Sequence, residues 1–292
     1  MVVKILITGA GGLIGTNLLR SVDGAKVYSV VYTNPIQVEG SEVIQGDLTD
    51  PKFVDSLPQV DYVIHAAGYA QPSKFTQEPV QTIKLNTQTL ISLFDKCKTL
   101  LYLSSSEVYS GCHPPYKETD IGTTTPSHPR SCYIEAKRCG EAICQALGGK
   151  VARVSLVYGP GARSDDTRVL YEFIRQGFNG KIVLKDQGQA YRTYCYVDDC
   201  VEMLWDILFD GHGVYNVGGT SEVTICQLAH KIGSILGVPV ELGHDGIKGA
   251  PESVRLDLSR VAKEFGKTEF VGIDEGLERT IRGIRWQETN GK

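Results

Sequence analysis

The sequence predicts an α/β fold, in which a doubly wound parallel sheet carries a smaller mixed α/β lobe. Short apolar runs alternate with segments of helical periodicity, which is typical of a parallel sheet covered by helices on both faces. A glycine-rich turn follows the first run, and a Tyr-Gly-Pro-Gly motif at 158–161 marks where the alternation gives way to polar loops. Strands are predicted at 2–8, 26–32, 62–65, 100–104, 151–157 and 214–217, and helices from residue 13 and at 80–96, 134–147, 197–208 and 225–236.

Composition and charge argue against several classes of protein. The chain has 292 residues, 41% of them hydrophobic, and 30 Lys and Arg against 34 Asp and Glu, for a net charge of −4. The basic residues are scattered, so we expect no nucleic-acid partner. No run approaches the ~18 apolar residues of a membrane span, so we expect a cytoplasmic protein without a membrane partner. The eight cysteines form no CxxC pair, which predicts reduced thiols and no metal site.

A glycine-rich loop opens the first predicted helix. Gly9, Gly12 and Gly15 have a GxxGxxG spacing, which lets the backbone approach a pyrophosphate whose charge the N–H groups at the helix start stabilise. Leu13 and Ile14 lie within the loop, and Ile14 replaces the last glycine of the stricter GxGxxG form. The loop is therefore a candidate dinucleotide-binding element, with a plain glycine-rich turn as the alternative.

The end of the second predicted strand leaves the choice between NAD and NADP open. Residues 30–35 contain neither the acidic residue that normally binds an adenosine ribose nor an arginine for a 2′-phosphate. Asp47 and Leu48 follow the next strand and are candidates for contact with the adenine edge. A surface turn at these two residues is the alternative.

A second group of polar residues has the chemistry of a proton-transfer site. Tyr133 and Lys137 are four residues apart and so share one face of a predicted helix. A phenol with a pKa near ~10 is a poor base at neutral pH, but an adjacent ammonium and a positive nicotinamide ring favour the phenolate. Ser105 and Glu107 follow an apolar strand, at the sheet edge where α/β active sites assemble. Such a site takes a proton from an alcohol as hydride leaves its carbon.

These motifs resemble the extended short-chain dehydrogenase/reductase family, and within it the nucleotide-sugar epimerases, dehydratases and decarboxylases. The resemblance covers nearly the whole chain, from the glycine loop through His-Ala-Ala-Gly at 65–68 to Arg-Thr-Tyr-Cys-Tyr-Val-Asp-Asp at 192–199. The segments 129–133, 166–169 and 194–199 look most like UDP-glucuronate decarboxylases. The resemblance implies a Rossmann-type fold, NAD or NADP as cofactor and a nucleotide-diphosphate sugar as substrate.

The resemblance also implies a role for each candidate residue. Ser105 corresponds to the catalytic hydroxyl and Tyr133 to the acid/base, and Lys137 lowers the pKa of Tyr133 and binds the nicotinamide ribose. Glu107 corresponds to a second acid/base of dehydratases and decarboxylases, with a solvated strand-end carboxylate as the alternative. His65 is expected to be a packing residue. The expected cofactor contacts, besides Tyr133 and Lys137, are Gly9, Gly12, Leu13, Ile14, Gly15, Asp47, Leu48, Ala66, Ala67 and Gly68.

Two arginines are candidates for substrate contact, because the planar guanidinium fork suits a diphosphate. Arg192 matches the diphosphate-binding arginine of the family, and Arg168 lies in the loop that usually closes over the sugar nucleotide. Arg130 precedes the catalytic helix and either faces the sugar or docks the preceding loop. A surface arginine is the alternative for Arg168 and Arg192.

The expected organisation has two parts. A dinucleotide-binding domain is predicted over 1–158 with about 193–219, and a nucleotide-sugar-binding lobe over about 159–192 and 220–292. The expected reaction is transient oxidation of the sugar at C4, leading to epimerisation, dehydration or decarboxylation. A net C4 dehydrogenase or reductase and a non-catalytic dinucleotide-sensing regulator are the alternatives. The family often dimerises through two helices, one of which carries Tyr133, so a homodimer is expected.

Overall fold

The computed structural model describes residues 2–33, 40–244 and 253–290, with side chains through residue 285. Within these ranges strands and helices alternate, as the sequence predicts. The strands are β1 (Lys4–Thr8), β2 (Lys26–Val31), β3 (Ser41–Gln45), β4 (Val60–His65), β5 (Cys97–Ser105), β6 (Lys150–Val154), β7 (Val157–Tyr158), β8 (Ile182–Val183), β9 (Tyr191–Tyr196), β10 (Val214–Val217), β11 (Ser221–Thr224), β12 (Val240–Glu241) and β13 (Ser253–Val254). The helices are α1 (Leu13–Ser21), α2 (Pro51–Ser56), α3 (Pro72–Gln77), α4 (Pro79–Asn86), α5 (Gln88–Phe94), α6 (Ser131–Leu147), α7 (Val169–Phe178), α8 (Val197–Asp210), α9 (Ile225–Leu236), α10 (Ser259–Phe265) and α11 (Ile273–Asn290), with a 3₁₀ turn at Ser106–Tyr109.

Seven strands form the main sheet, and every neighbouring pair in it is parallel. The strand order is β10-β6-β5-β4-β1-β2-β3, so the chain changes direction across the sheet between β1 and β4. Ile5, Leu6 and Ile7 of β1 are each 2% exposed or less, because helices cover both faces of the sheet. This is the Rossmann-type order, and ligands bind such sheets at the carboxyl ends of the strands beside the point of reversal.

Two hydrophobic clusters fill the space between the sheet and its helices. One includes Leu18 of α1 and Leu204 of α8, and the other includes Leu90 of α5 and Cys144 of α6, all four of them fully buried. The sheet is therefore covered on two sides, as the predicted doubly wound fold requires.

The smaller lobe contains a mixed sheet. β11 pairs antiparallel with β9, whereas β7 and β13 pair parallel with it, and β8 and β12 form a separate parallel pair. β9 leads directly into α8, which packs against β5, β6 and β10 of the main sheet. The chain thus passes from the smaller sheet to a helix of the main sheet at Tyr196. The domain boundaries near residues 158 and 193 stay a prediction.

Two predicted elements are wrong as continuous segments. The helix predicted at 80–96 is divided into α4 and α5, because Thr87 leaves helical geometry with φ −127° and ψ −81°. The strand predicted at 151–157 ends with β6 in the main sheet, and β7 belongs to the smaller sheet. Leu156, which lies between them, has a positive φ of 47° and redirects the chain.

Candidate active site

The glycine loop between β1 and α1 requires glycine for a backbone reason. Gly9 has a φ of +68°, in the left-handed region, and a Cβ at this position would lie 2.7 Å from the carbonyl oxygen of Ala66. A Cβ on Gly15 would collide with the carbonyl oxygen of Gly9. Gly9 therefore permits the loop to lie directly against the end of β4, and Gly15 permits the first turn of α1 to pack on the loop.

A cleft of about 570 Å³ opens beside this loop, at the carboxyl edge of the main sheet. Its size is in the range of small-molecule and cofactor sites. Arg168 borders it, whereas Ser105, Glu107, Tyr133 and Arg192 do not line it. All ten of the other predicted cofactor contacts do line it, namely Gly9, Gly12, Leu13, Ile14, Gly15, Asp47, Leu48, Ala66, Ala67 and Gly68.

A buried hydrogen-bond chain holds the ends of β1 and β4 together beneath the cleft. The Thr8 hydroxyl lies 2.8 Å from His65 Nδ1 and accepts a hydrogen bond from the Ala67 N–H at 3.2 Å. His65 Nε2 lies 2.8 Å from the carbonyl oxygen of Leu85. Burial lowers the pKa of His65 to about 4, so the ring is neutral at pH 7. The packing role predicted for His65 is confirmed.

Asp47, which follows β3, lies in a turn, and its predicted contact with the adenine edge stays a prediction. One carboxylate oxygen accepts hydrogen bonds from the N–H and the hydroxyl of Thr49, each at 2.8 Å, which is a turn geometry. Asp47 nevertheless lines the cleft with Leu48. Asn34 and Pro35, on which the choice between NAD and NADP partly depends, lie outside the described residues.

Tyr133 lies in the first turn of α6, buried against an aromatic neighbour. Its ring stacks on Phe75 of α3, with 4.6 Å between centroids and an interplanar angle of 12°. Burial raises the pKa of Tyr133 to about 12, and a hydrogen bond from Ser105 opposes this rise. Without a bound cofactor, desolvation of the phenolate outweighs its polar neighbours, and the lowering of the pKa of Tyr133 by Lys137 and a nicotinamide ring stays a prediction.

Lys137 lies one turn further along α6, beside the floor of the cleft. Its ammonium donates to the carbonyl oxygen of Leu103 at 2.6 Å and lies 5.7 Å from the centroid of the Tyr133 ring. A Cβ on Gly68, in the cleft wall, would lie 3.9 Å from Lys137 Nζ. Burial lowers the pKa of Lys137 to about 7. The Lys137 amine therefore lies close both to the Tyr133 ring and to Gly68 in the wall of the cleft, although neither Lys137 nor Tyr133 lines the cleft.

Glu107, which acts electrostatically on Tyr133, is held in an ion pair. Its Oε1 lies 2.6 Å from Nη1 of Arg130, and the two side chains are 33% and 32% exposed. Ser105 caps the 3₁₀ turn and accepts the Glu107 N–H at 3.2 Å. Glu107 acts electrostatically on both Tyr133 and Arg192. The structure thus brings Ser105, Glu107, Arg130 and Tyr133 into one cluster, with Arg192 at its margin.

The two substrate arginines predicted from the sequence lie in different surroundings. Arg168 makes an ion pair of 2.6 Å with Asp166 and donates to the carbonyl oxygen of Val157 at 3.0 Å. Arg192, on β9, donates to the carbonyl oxygen of Tyr191. Its positive charge and that of Arg130 repel each other. Arg168 thus borders the cleft, whereas Arg192 lies on the side of the site that contains Glu107.

Sequence reasoning missed two residues of this region. The hydroxyl of Tyr194 is buried and finds no hydrogen-bond partner within the described part of the chain, although both Arg168 and Arg192 act on it. The position of Tyr194 on the predicted strand, two residues after Arg192, could have indicated that it lies near the site. Nothing in the sequence indicates that Phe75 does, because Phe75 and Tyr133 are far apart in sequence.

Neither a metal cluster nor a membrane span occurs in the part of the chain that the structure describes. Within 2–33, 40–244 and 253–290 no three His, Cys, Asp or Glu side chains are grouped to hold a metal ion. No helix in the same ranges is long and apolar enough to cross a membrane.

Known proteins similar to this chain agree with the geometry. The model of the NAD dependent epimerase/dehydratase family matches residues 5–218. UDP-glucuronic acid decarboxylase 6 of Arabidopsis thaliana is 30% identical over 94% of this chain and 86% of its own length. Among solved structures, the UDP-glucose 4-epimerase of Thermotoga maritima with UDP-glucose has a TM-score of 0.86 and 25% identity, covering 98% of this chain and 99% of its own. MoeE5 in complex with UDP-glucuronic acid and NAD has a TM-score of 0.83 and 26% identity, covering 97% and 99%.

These relationships confirm the predicted resemblance, the Rossmann-type fold and a nicotinamide dinucleotide as cofactor. They also confirm the predicted NAD(P)-dependent enzyme that modifies nucleotide sugars. With a family model that spans most of its length and a glycine loop shaped for a dinucleotide, the chain belongs to the NAD dependent epimerase/dehydratase family.

Proposed function

We propose that this enzyme decarboxylates UDP-glucuronate through transient oxidation of the sugar at C4, with NAD as the cofactor. The observation that carries the proposal is the cluster of Ser105, Tyr133 and Glu107, in which Arg130 holds a carboxylate beside the proton-transfer tyrosine. Oxidation of an alcohol needs one acid/base, whereas loss of CO2 and return of a proton to carbon need a second. The decarboxylase names of the curated relatives support the same choice.

The residues of the cleft fit a dinucleotide. Gly9 lets the loop approach the backbone of Ala66 and Ala67, and the start of α1, whose free N–H groups suit a pyrophosphate, lines the cleft. We infer that the glycine loop holds the phosphates, that Asp47 and Leu48 meet the adenosine, and that Lys137 binds the nicotinamide ribose. NAD supplies the hydride acceptor when it is bound.

Tyr133 takes the proton of the C4 hydroxyl in this proposal. Ser105 hydrogen-bonds the phenol and orients it, and the Lys137 ammonium, 5.7 Å from the ring, favours the phenolate. The raised pKa of the free protein keeps the phenol protonated until substrate and cofactor bind. General-base catalysis of this kind contributes about 10²–10⁴-fold.

Glu107 serves the second step. Oxidation at C4 makes the sugar a β-keto acid, so the C5–C6 bond can break with its electron pair passing to the C4 ketone as CO2 leaves. We assign to Glu107, whose side chain is 33% exposed, the relay of one proton from solvent to C5 of the enolate that the loss of CO2 leaves. Reduction of the C4 ketone would follow. Arg130 keeps this carboxylate in place at 2.6 Å. Arg192, and Arg168 on the cleft side, are assigned to the diphosphate because a guanidinium binds phosphate oxygens in pairs.

We also propose that the enzyme is a homodimer. The helices α4 and α5, which pack against α6, expose the apolar side chains of Val80, Ile83 and Ile91, which are 60%, 44% and 49% exposed. Val80 and Ile83 are three residues apart and so lie on one side of α4, and Ile91 lies on α5. Sedimentation of the wild type and of a Val80→Glu, Ile83→Glu variant tests this, because the dimer is expected to become a monomer.

The function is tested by incubating the enzyme with UDP-glucuronate and NAD. We expect release of CO2 and a UDP-pentose. A C4 epimer that retains the carboxylate would show that the enzyme is an epimerase and not a decarboxylase.

Tyr133→Phe is expected to lower kcat by about 10²–10⁴-fold with little change in NAD affinity. Glu107→Gln is expected to accumulate reduced cofactor and to form little UDP-pentose, because C5 is not protonated after CO2 has left. Tyr62→Phe, at a tyrosine whose ring packs on Phe209, is the matched control. Full turnover by Tyr133→Phe would refute the mechanism.

A further inference from the structure

A buried ion pair lies beneath the active site and has no part in the reaction described so far. Glu141 of α6 and Arg153 of β6 meet through two contacts, Oε1 to Nε at 2.9 Å and Oε2 to Nη2 at 2.7 Å. Each side chain is 11% exposed. Removing two charges from water is costly, and apolar residues of the same size are often as stable, so the pair calls for an explanation beyond stability.

Glu141 lies next to two parts of the catalytic machinery. Tyr133, Lys137 and Glu141 follow one another at intervals of four residues, so they share one face of α6. The hydroxyl of Ser104 donates to Glu141 Oε1 at 2.5 Å, and Ser104 immediately precedes Ser105. One carboxylate therefore touches the strand end that presents Ser105 and lies one helical turn from Lys137.

Arg153 fixes Glu141 from the side of the main sheet. Its Nη1 donates to the Tyr109 hydroxyl at 2.8 Å and to the carbonyl oxygen of Glu118 at 2.9 Å. The Tyr109 hydroxyl in turn donates to Asn216 Oδ1 of β10 at 2.6 Å. The carboxylate is thus anchored to two strands.

The other titratable groups around Lys137 are uncharged at neutral pH. Burial raises the pKa of Tyr133 and Cys144 of α6 to about 12 and that of Tyr102 of β5 well above 10, and it lowers the pKa of His65 of β4 to about 4. Arg153 is charged but is paired with Glu141. Glu141 has the largest electrostatic influence on Lys137, and it raises the pKa of that amine against the effect of burial.

We infer that Glu141 is a positioning residue for the reaction proposed above, acting on Lys137 through its charge and on Ser105 through its hydrogen bond with Ser104. The carboxylate keeps a larger fraction of Lys137 as the ammonium that favours the Tyr133 phenolate. The hydrogen bond holds the end of β5 so that Ser105 faces the phenol. The relevance to catalysis rests on the proposed function, whereas the effect on Lys137 does not.

Titration of Lys137 in the protein without added cofactor tests the charge effect. The lysine side-chain resonances of isotope-labelled protein are followed with pH by NMR, and Lys137 is assigned by its loss in Lys137→Met. Glu141→Gln is expected to lower the pKa of Lys137 by about one. Ser104→Ala, which keeps the charge, and Glu135→Gln, at an exposed carboxylate of the same helix paired with Arg138, are expected to leave it unchanged.

A second variant covers the case in which Glu141→Gln does not fold, since that change leaves Arg153 buried without its carboxylate. Glu141→Gln with Arg153→Gln removes both charges and is expected to show the same lowered pKa of Lys137. An unchanged pKa in either folded variant would overturn the inference.

Kinetics with UDP-glucuronate then test the two contacts separately. Glu141→Gln is expected to move the alkaline limb of the kcat profile down by about one pH unit, whereas Ser104→Ala lowers kcat by about tenfold without moving the limb. Equal limbs in wild type and Glu141→Gln would overturn the charge effect, and wild-type kcat in Ser104→Ala would overturn the hydrogen-bond effect. If the wild type does not turn over UDP-glucuronate, the proposed function fails while the titration still decides the inference.

Discussion

Replacing Gly9 by alanine separates two costs at the dinucleotide loop. The left-handed φ of +68° costs an alanine about 1–2 kcal/mol. In addition, the new Cβ would lie 2.7 Å from backbone atoms of Ala66 and Ala67, whereas ordinary contact begins at 3.4 Å, so the loop has to move by about 0.7 Å. Overpacking of this kind costs about 1–3 kcal/mol. We therefore expect Gly9→Ala to lower the free energy of unfolding by about 2–5 kcal/mol.

The same displacement is expected to weaken NAD binding. Moving the loop lengthens at least one hydrogen bond from its N–H groups to a phosphate, and such a bond to a charged group contributes about 1.5–3 kcal/mol, or roughly a 10- to 100-fold change in Kd. Calorimetric titration with NAD and denaturant unfolding measure the two effects. Gly24→Ala is the matched control, because Gly24 also has a φ of +68° but only its chain neighbours lie within 4 Å of the position that a Cβ would take. It is expected to cost about 1–2 kcal/mol with unchanged Kd. Wild-type affinity in Gly9→Ala, or an equal loss in Gly24→Ala, would refute the reasoning.

Three further predictions concern single side chains. The pKa of His65 is about 4 in the folded chain and 6.5 in a free histidine, so between these values the unfolded state binds more protons than the folded state. The free energy of unfolding is therefore expected to be greatest above pH 6.5 and to fall by up to about 3 kcal/mol as the pH drops to 4. Denaturant unfolding measures this pH dependence, which His65→Gln is expected to lack. Lys74→Ala breaks an exposed ion pair with Asp165 and is expected to cost less than about 1 kcal/mol in thermal unfolding. Lys267→Met leaves Asp199 buried without its cation and is expected to cost about 3–5 kcal/mol; equal losses from the two lysine variants would contradict the burial argument.

The parts of the site predicted from the sequence are those that depend on local backbone geometry. Gly9 and Gly15 can be predicted from the sequence because only glycine fits their backbone surroundings: Gly9 has a positive φ, and both glycines approach other backbone atoms closely. Tyr133 and Lys137 are readable because the period of a helix fixes which residues share a face. Each of these signals lies within a few residues of sequence, so no knowledge of the tertiary fold is needed.

The parts that escaped prediction depend on packing between distant segments. The break at Thr87 occurs within a pattern that is apolar on both sides, and periodicity alone does not detect a change of helix axis. Arg153 lies in a strand that is otherwise apolar, and its pairing with Glu141 depends on how α6 packs against β6. The raised pKa of Tyr133 has the same origin, because its spacing from Lys137 is local but its burial under Phe75 is not.

Burial of Tyr133 and Lys137, the proposed catalytic pair, determines the conditions under which the site can react. Desolvation raises the pKa of Tyr133 to about 12 and lowers that of Lys137 to about 7, so it favours the neutral form of both groups. The reactive state needs the opposite, a phenolate beside an ammonium. Forming that state inside the protein requires attractive interactions that water no longer supplies. In the proposed mechanism these come from the fixed charge of Glu141, the Ser105 hydrogen bond and the bound reactants. A site built in this way holds its proton in the free enzyme and gives it up only in the complex, because the same low polarity that opposes ionisation strengthens each of those interactions once the cleft is filled.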